Sequence, residues 1–197
     1  MSVPLIILAA GASSRMRGRD KMLEDIGGVP LIRKQAETGL AFSDQVYVAL
    51  PPRPHPRYAA LEGLAVTCVE VADAANGMGA SLRAGFTALP NGTTRAMLLL
   101  ADLVEITTSD LRQVSDAESK YPHNVIWRGA TQDGAPGHPI LFDRSQFAAM
   151  MQLTGDTGGH QVINAAQGKV HLVPLPHDHA RLDLDTPEDW AWWRARN

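Results

Sequence analysis

Short apolar runs without polar alternation, most of them separated by helical patterns, constrain the fold of this chain more than any other feature. The first run, VPLIILAA, is rich in branched residues and is typical of a strand buried on both faces. Three further runs follow in the same half of the chain: QVYVAL, AVTCVEV and AMLLLAD. Because strands here alternate with helices, the sequence predicts a three-layer α/β/α, Rossmann-like fold with a mainly parallel sheet.

The second half of the chain is less regular. NVIWRG, HPILF and KVHLVPL predict strands, whereas RSQFAAMMQL and residues 158–166 predict helices. The segment ARLDLDTPEDWAWWRAR predicts a strand end and then a helix, with Thr186 as its N-cap and Pro187 in its first position. No repeat or low-complexity linker interrupts this order, so we expect one domain over residues 1–197.

Composition excludes several classes of protein. The net charge of −3 argues against a general nucleic-acid binder, which is usually basic. The first apolar run is far shorter than the roughly 20 residues that span a bilayer, and it lacks the flanks of a signal peptide. Cys68 is the single cysteine, which excludes an internal disulfide. We therefore expect a cytoplasmic protein without membrane or nucleic-acid partners.

Two polar stretches follow predicted strands, at the sheet edge where α/β proteins bind ligands. One is LAAGASSRMRGRDK, from Leu8 to Lys21, and the other is Asp102. The first fits neither G-x-x-x-x-G-K-[ST] nor G-x-G-x-x-G. Small residues would still let a nucleotide approach the backbone, whose amides hold anionic oxygens. Arg15 and Lys21 would neutralise a triphosphate; the alternative is a flexible basic surface loop.

The same residues resemble a known family. LAAGASSRM with a following lysine resembles the signature of the MobA-like nucleotidyltransferases, which attach a nucleotide to the pterin of the molybdenum cofactor within the nucleotide-diphospho-sugar transferase fold. Further matches occur in order along the whole chain: GMGASLRAG, LLLAD, GHPILF, LTGDTGG and DLDTPEDW. The ordered set is more specific than any one motif.

The chain departs from the family pattern at two places. Arg17 stands where a glycine usually follows Arg-Met, although Gly18 comes next. The Met-Pro that follows the family's aspartate is replaced, because the chain reads ADLVEIT after its fourth strand. That turn shapes the site beside the metal, so this departure bears on metal geometry and on substrate choice.

The nucleotide is predicted from one methyl group. The guanylyl branch of the family reads L-A-G-G, whereas this chain has Ala10 at the third position, as in the cytidylyl branch. A methyl group there narrows the space for a base and favours a pyrimidine. The interval from Arg15 to Lys21 is more similar to the guanylyl branch. CTP is therefore favoured over GTP.

The resemblance implies a Mg²⁺-dependent attack of a substrate phosphate on the α-phosphorus of an NTP, with release of pyrophosphate. It assigns Arg15, Lys21 and Asp102 to catalysis. Asp102 and Asp185 would hold the metal, with Asp183 as the fallback for Asp185. The predicted nucleotide-binding residues are Leu8, Ala9, Ala10, Gly11, Ser13, Ser14, Lys21, Gly79 and Ser81.

The resemblance divides the chain into an N-terminal nucleotide-binding half and a C-terminal acceptor-binding half. His138, Gly155 and Asp156 are the predicted acceptor contacts, although a structural role for His138 is an equal alternative. His177 and His179 form an H-x-H pair that we interpret as a solvated loop, because no third ligand for zinc stands nearby. Three tryptophans dock the last helix on the core: Trp190, Trp192 and Trp193.

Three functions remain in competition. The first is a cytidylyltransferase (or guanylyltransferase) acting on the molybdenum-cofactor pterin, with a molybdoenzyme or its maturation chaperone as a further partner. The second retains the chemistry but uses a sugar phosphate or another phosphorylated metabolite as acceptor, because fold does not fix function. The third is a non-catalytic nucleotide- or cofactor-binding module. Retention of Arg15, Lys21 and Asp102 argues against the third.

Overall fold

The structure is a computed structural model that describes residues 2–155 and 158–196. Its strands are β1 (Leu5–Leu8), β2 (Asp25–Ile26), β3 (Val29–Pro30), β4 (Val46–Leu50), β5 (Thr67–Glu70), β6 (Arg95–Leu100), β7 (Ile126–Ala130), β8 (Pro136–Asp143) and β9 (Val170–Pro174). Its α-helices are α1 (Leu31–Leu40), α2 (Pro56–Ala60), α3 (Met78–Thr87), α4 (Thr108–Lys120), α5 (Phe147–Met150), α6 (His160–Ala165) and α7 (Pro187–Arg194).

Seven strands form the central sheet in the order β5-β4-β1-β6-β8-β7-β9. Neighbouring strands are parallel except where β8 pairs antiparallel with β6 and with β7. The prediction of a mainly parallel sheet flanked by helices is confirmed. β2 and β3 form a separate antiparallel hairpin, which the sequence interpretation missed.

Helices cover both faces of the sheet. One buried cluster contains residues of α1, α4 and α7, and the other contains residues of α3, α5 and α6. β1 contributes to both, since Leu5 and Ile7 belong to the first cluster and Ile6 and Leu8 to the second. This arrangement explains why the first run of the sequence is apolar without alternation.

The register of β1 and β6 determines what lies at the carboxyl edge of the sheet. Leu8 pairs with Leu100, and the Ala101 amide donates to the Leu8 carbonyl over 3.1 Å. The residues that follow the two strands are therefore neighbours. The glycine-rich stretch and Asp102 start from adjacent points, as the sequence predicts.

The end of the chain combines a confirmed helix with a shorter strand than expected. Thr186 caps α7 in a capping box with Asp189, and Pro187 is its first residue. Trp190 is fully buried, whereas Trp192 is half exposed. Before this helix, the expected strand end reduces to one bridge between Leu103 and Asp183.

Other elements differ in extent from the prediction. The segment RSQFAAMMQL is helical only over a 3-10 turn, Arg144–Gln146, and the short α5.

Across residues 2–155 and 158–196, no helix combines the length and apolar composition needed to cross a membrane. The cytoplasmic location stays a prediction.

Candidate functional site

A cavity of about 460 Å³ opens at the carboxyl ends of β1 and β6. Five segments line it: the loop after β1, α2, the start of α3, the end of β6 and the stretch before α7. Its described lining is Leu8, Ala9, Ala10, Gly11, Arg15, Lys21, Met22, Arg57, Gly77, Met78, Ser81, Leu100, Asp102, Asp183 and Asp185. Most of the predicted nucleotide, metal and catalytic residues are therefore brought together.

The loop after β1 is shaped by two residues in unusual backbone conformations. Ser13 and Arg17 have φ angles of 52° and 53°, in the left-handed region that residues other than glycine rarely adopt. Each such residue costs on the order of 1 kcal/mol and persists only where surrounding contacts hold it. Met16, which lies between them and is fully buried, anchors the loop in the core. Its exposed neighbour Arg15 lines the cavity, whereas Arg17 pairs with Glu188 on the surface.

Lys21 lies between two carboxylates in the cavity. Its Nζ is 2.6 Å from Asp102 Oδ2 and 2.7 Å from Asp185 Oδ1, and the three side chains are largely buried. Arg15, which is mostly exposed, approaches the other oxygen of Asp185 at 2.6 Å. Two cations and two carboxylates thus form a network. It joins the loop after β1 to the segment after β6, which carries Asp102, and to the segment before α7, which carries Asp185.

Asp183 completes a group of three carboxylates. Burial and the charge of Asp185 raise the pKa of Asp183. Burial would also raise the pKa of Asp185, but hydrogen bonding and charge from Lys21 outweigh burial and lower that pKa. For Lys21, burial favours a lower pKa, and the carboxylates of Asp102 and Asp185 overcome it and raise the pKa. Lys21 is therefore charged at neutral pH, beside ionised Asp185.

The three carboxylates fit a divalent cation. One oxygen from each of Asp102, Asp183 and Asp185 lies within 4.8 Å of the others, and no other metal-competent group occurs among the described residues. Asp102 Oδ1 is buried and has no hydrogen-bond partner in the described part of the chain. Buried polar atoms without partners are unusual, and hard cations such as Mg²⁺ and Mn²⁺ prefer oxygen ligands.

Another wall of the cavity is the start of α3. Gly77 caps this helix with a φ of 95°, a conformation that favours glycine. Met78 and the buried Ser81 also face the cavity. Helix N-termini present unpaired amides and a partial positive charge, so this wall favours an anionic or polar ligand.

Several predicted residues lie beside the cavity rather than in it. Ser13 and Ser14 line an adjoining depression. Gly79 packs against Gly155, since a Cβ on Gly79 would lie 2.6 Å from the Gly155 carbonyl oxygen. Asp156 lies outside the described residues. The two glycines thus hold the start of α3 against the segment that follows α5.

His138 lines a smaller cavity of about 40 Å³ that shares Met78 and Leu100 with the main one. Burial, followed by the charge of Arg128, lowers the pKa of His138 to about 3, so the imidazole is neutral. Its Nδ1 is buried and without a partner among the described residues. Arg128 and His160 also line this cavity, and Arg128 Nε donates to the Gly137 carbonyl over 2.8 Å.

The turn after Asp102, where the chain departs from the family pattern, is anchored by α1. Gln35 Nε2 donates to the Leu103 carbonyl over 2.7 Å, and Lys34 Nζ donates to the Val104 carbonyl over 3.0 Å. Glu105 accepts a hydrogen bond from Trp193 and lines a different surface cavity. Glu105 is therefore directed away from the carboxylate cluster, while Asp102 remains in it.

The histidine pair near the C-terminus forms no metal site within the described chain. His179 Nδ1 lies 3.0 Å from Asp110 Oδ2, at the start of α4. His177 adopts a φ of 45° in the preceding turn. Both histidines lie in a turn between β9 and α7, as expected of a loop.

Arg57 is a cavity residue that the sequence interpretation missed. It follows a proline-rich loop and occupies α2, with 2% of its surface exposed. Its partners are Asp20, Ser13 and the Ala9 carbonyl. The proline before it marks a possible helix start, but no sequence pattern distinguishes a buried arginine from an exposed one.

This cavity lies at the carboxyl edge of a mainly parallel sheet and is lined by loop backbone, cationic side chains and carboxylates. Such an arrangement is typical of α/β proteins that bind nucleotides. The chain belongs to a family of this class, because residues 5–171 match the MobA-like NTP transferase domain. The resemblance found in the sequence is confirmed, and family membership supports nucleotidyltransferase activity.

Solved structures with the same fold cover nearly the whole chain. The Rv0371c homologue from Mycobacterium sp. strain JC1 has 26% identity and a TM-score of 0.85, over 98% of this chain and 96% of its own. Rv0371c from Mycobacterium tuberculosis H37Rv, solved in complex with manganese, has 24% identity and a TM-score of 0.80, over 98% and 97%.

A more distant match extends the fold to another organism. A nucleotidyl transferase from Methanothermobacter thermautotroptrophicus has 20% identity and a TM-score of 0.78, over 99% of this chain and 97% of its own. At this identity the likeness shows the fold alone. Among curated proteins, none matches the sequence.

Proposed function

We propose that this chain is a Mg²⁺-dependent nucleotidyltransferase that transfers CMP, or GMP, from an NTP to the phosphate of the molybdenum-cofactor pterin and releases pyrophosphate. The observation that carries the proposal is the position of Lys21, whose ammonium joins Asp102 and Asp185 beside the loop after β1. Family membership and the ordered motifs support the same chemistry.

The loop after β1 is the proposed triphosphate site. Ala9, Ala10 and Gly11 line the cavity, and no heavy atom of the described residues beyond its two chain neighbours lies within 4 Å of a Cβ position on Gly11. That open space leaves room for phosphate oxygens close to the amides. Arg15 and Lys21 supply positive charge at the rim and in the interior. The start of α3 would then face the base or ribose through Ser81.

Asp102 and Asp185, with Asp183 beside them, are the proposed ligands of Mg²⁺. When bound there, the cation would polarise phosphoryl oxygens and neutralise their charge. The manganese complex of Rv0371c supports a divalent cation in a protein of this fold. Asp102 has a free buried oxygen for such a ligand, whereas both oxygens of Asp185 contact cationic side chains.

Lys21 and Arg15 would act on the charge that develops during transfer. An oxygen of the acceptor phosphate forms a bond to the α-phosphorus, the bond from that phosphorus to the bridging oxygen breaks, and pyrophosphate leaves with the electron pair. The acceptor oxygen is already ionised at neutral pH, so no general base is needed. Positioned ammonium and guanidinium groups stabilise such a transition state electrostatically.

The C-terminal half is the proposed acceptor side. Met78 and Leu100 line both the main cavity and the smaller one, so the two cavities are adjacent. An acceptor could therefore extend from the carboxylates toward His138. His138 is neutral there and would exchange hydrogen bonds, while Arg128 would attract an acidic group. Gly155 would border the same side, and a cytoplasmic molybdoenzyme or its chaperone would receive the product.

The proposal is tested by pyrophosphate release measured with each of ATP, CTP, GTP and UTP and three acceptor conditions: no acceptor, a sugar phosphate, and the pterin cofactor. We expect release that requires both Mg²⁺ and the pterin cofactor and is fastest with CTP. Pyrophosphate release with the sugar phosphate but not with the pterin cofactor would identify a sugar phosphate as the acceptor. Tight nucleotide binding without release in any condition would indicate a non-catalytic module.

Replacing Ala10 by Gly is expected to lower the preference for CTP over GTP by about tenfold, because one methyl group in a binding site is worth that much. Ala10 is buried and lines the cavity, and under the proposal its methyl group would narrow the space for a purine. The measurement is the ratio of kcat/KM for the two nucleotides, in which any general loss of folded enzyme cancels. An unchanged ratio, or a wild type that already prefers GTP, contradicts the steric argument.

A further inference from the structure

The loop after β1 is closed by contacts from one side chain. Arg57 Nη1 donates to the Ala9 carbonyl over 2.6 Å, at the start of the loop. Its Nη2 donates to Ser13 Oγ over 3.2 Å, in the middle. Nε and Nη2 donate to the two oxygens of Asp20 over 2.8 and 2.7 Å, at the end. The guanidinium therefore fastens three points of a loop that has two residues in the left-handed region.

Asp20 transmits this anchoring to Lys21. Its side chain accepts a hydrogen bond from the Met22 amide over 3.0 Å and so caps the 3-10 turn Lys21–Leu23. The Lys21 amide donates to Ser13 Oγ over 3.3 Å. The amides of Lys21 and Met22 thus donate to two side chains, Ser13 and Asp20, that Arg57 holds. The position of the Lys21 ammonium between its carboxylates depends on that turn.

The hydrogen-bonding capacity of the Arg57 guanidinium is largely taken up by the protein itself. A guanidinium has five N–H groups, and four of the hydrogen bonds that they can make go to the loop. Its charge is compensated by Asp20: burial alone would raise the pKa of Asp20, but the hydrogen bond and charge of Arg57 outweigh burial and lower it. Although Arg57 borders the cavity, its positive charge is neutralised by Asp20, so it would attract a phosphate only weakly.

We infer that Arg57 is a positioning residue, which sets the geometry of Lys21 through Asp20 and Ser13 without binding the nucleotide itself. The inference rests on the proposed function where it concerns turnover. α2 is then the scaffold of this residue: His55 caps it, and the Tyr58 hydroxyl donates to the Pro51 carbonyl over 2.9 Å. The proline-rich segment before α2 thereby serves the site.

Arg57→Lys separates the fork geometry from the charge, since an ammonium cannot donate in parallel to both oxygens of Asp20. We expect kcat to fall by about ten- to a hundredfold, because small misplacements of a catalytic group have such effects. KM for the NTP should change by less than about threefold, since uniform binding is retained. Arg53→Lys is the matched control, because Arg53 precedes the same helix and is mostly exposed.

A double-mutant cycle identifies the route. If Arg57 acts through Lys21, adding Arg57→Lys to Lys21→Ala should lower kcat by less than about threefold further, because the group being positioned is gone. Fully additive losses in kcat, or a raised KM with unchanged kcat in Arg57→Lys, would overturn the inference. The second result would assign Arg57 to direct phosphate binding.

Hydrogen exchange tests the anchoring without any turnover, so its outcome stands even where the proposed function fails. In Arg57→Lys, and equally in Asp20→Asn, the amides of Lys21 and Met22 should exchange at least about tenfold faster than in the wild type. The amides of β1 should keep their rates. Acceleration of all amides together would indicate general destabilisation and would overturn the positioning role, as would unchanged exchange at Lys21 and Met22.

Discussion

Asp102→Asn is expected to lower Mg²⁺-dependent pyrophosphate release by about a thousandfold while the protein remains folded. The amide matches the carboxylate in shape but carries no charge, so a divalent cation loses its best ligand in the cluster. Stabilisation of phosphoryl charge by a cation is worth several kcal/mol, and each 1.4 kcal/mol is tenfold in rate. Turnover, Mn²⁺ affinity by titration and thermal unfolding of the variant measure the three quantities separately.

Asp185→Asn provides a graded comparison for the same site. Mg²⁺ retains waters readily, so the loss of one further ligand should cost less than the loss of Asp102. Asp133→Asn is the control, since Asp133 is exposed in a turn away from the cavity. Near-wild-type release by Asp102→Asn would show that the altered turn has moved the cation elsewhere. Glu105 would not rescue the proposal, because Trp193 holds it outside the cluster.

The sequence predicted the convergence of Arg15, Lys21 and Asp102 for a physical reason. Apolar runs without alternation indicate parallel strands, and the carboxyl ends of such strands share one edge of the sheet. The observed pairing of Leu8 with Leu100 places the two polar stretches side by side. Asp183 reaches the same edge through its bridge to Leu103, and Asp185 follows two residues later. The DLDTPEDW motif suggested Asp185 as a metal ligand by resemblance, with Asp183 as the fallback.

Residues whose environment depends on distant segments were harder to predict. Arg57 is buried only because α2 packs under the loop after β1, and a surface arginine would give the same local sequence. His138 is neutral because burial and Arg128 together lower its pKa, which no motif encodes. Gly79 was predicted to touch nucleotide, but the Gly155 backbone explains its lack of a side chain. Local sequence patterns therefore indicate which segments lie near the site more readily than they indicate what each side chain does there.

Lys21→Ala is expected to separate catalysis from metal binding. Removal of the ammonium should lower kcat by about a hundredfold or more, the effect of losing one positioned group at a developing charge, while KM for the NTP rises only slightly. Loss of Lys21 also removes the ammonium from Asp102 and leaves Asp185 with Arg15 alone, and neighbouring carboxylates bind a divalent cation more tightly when no ammonium competes. Mn²⁺ affinity should therefore be equal to or greater than that of the wild type.

This opposite response of turnover and metal affinity is specific to a lysine that lies within the carboxylate cluster. Lys169→Ala is the matched control, since Lys169 is exposed before β9 and should leave both quantities unchanged. If Lys21 merely held the loop in place, the Lys21→Ala variant would lose both folding stability and Mn²⁺ affinity. Thermal unfolding and Mn²⁺ titration would detect these losses. Unchanged kcat in a folded Lys21→Ala variant would remove Lys21 from the mechanism. The network of Lys21, Asp102 and Asp185 would then be a structural ion cluster that joins the loop after β1 to the ends of the segments that carry the two aspartates.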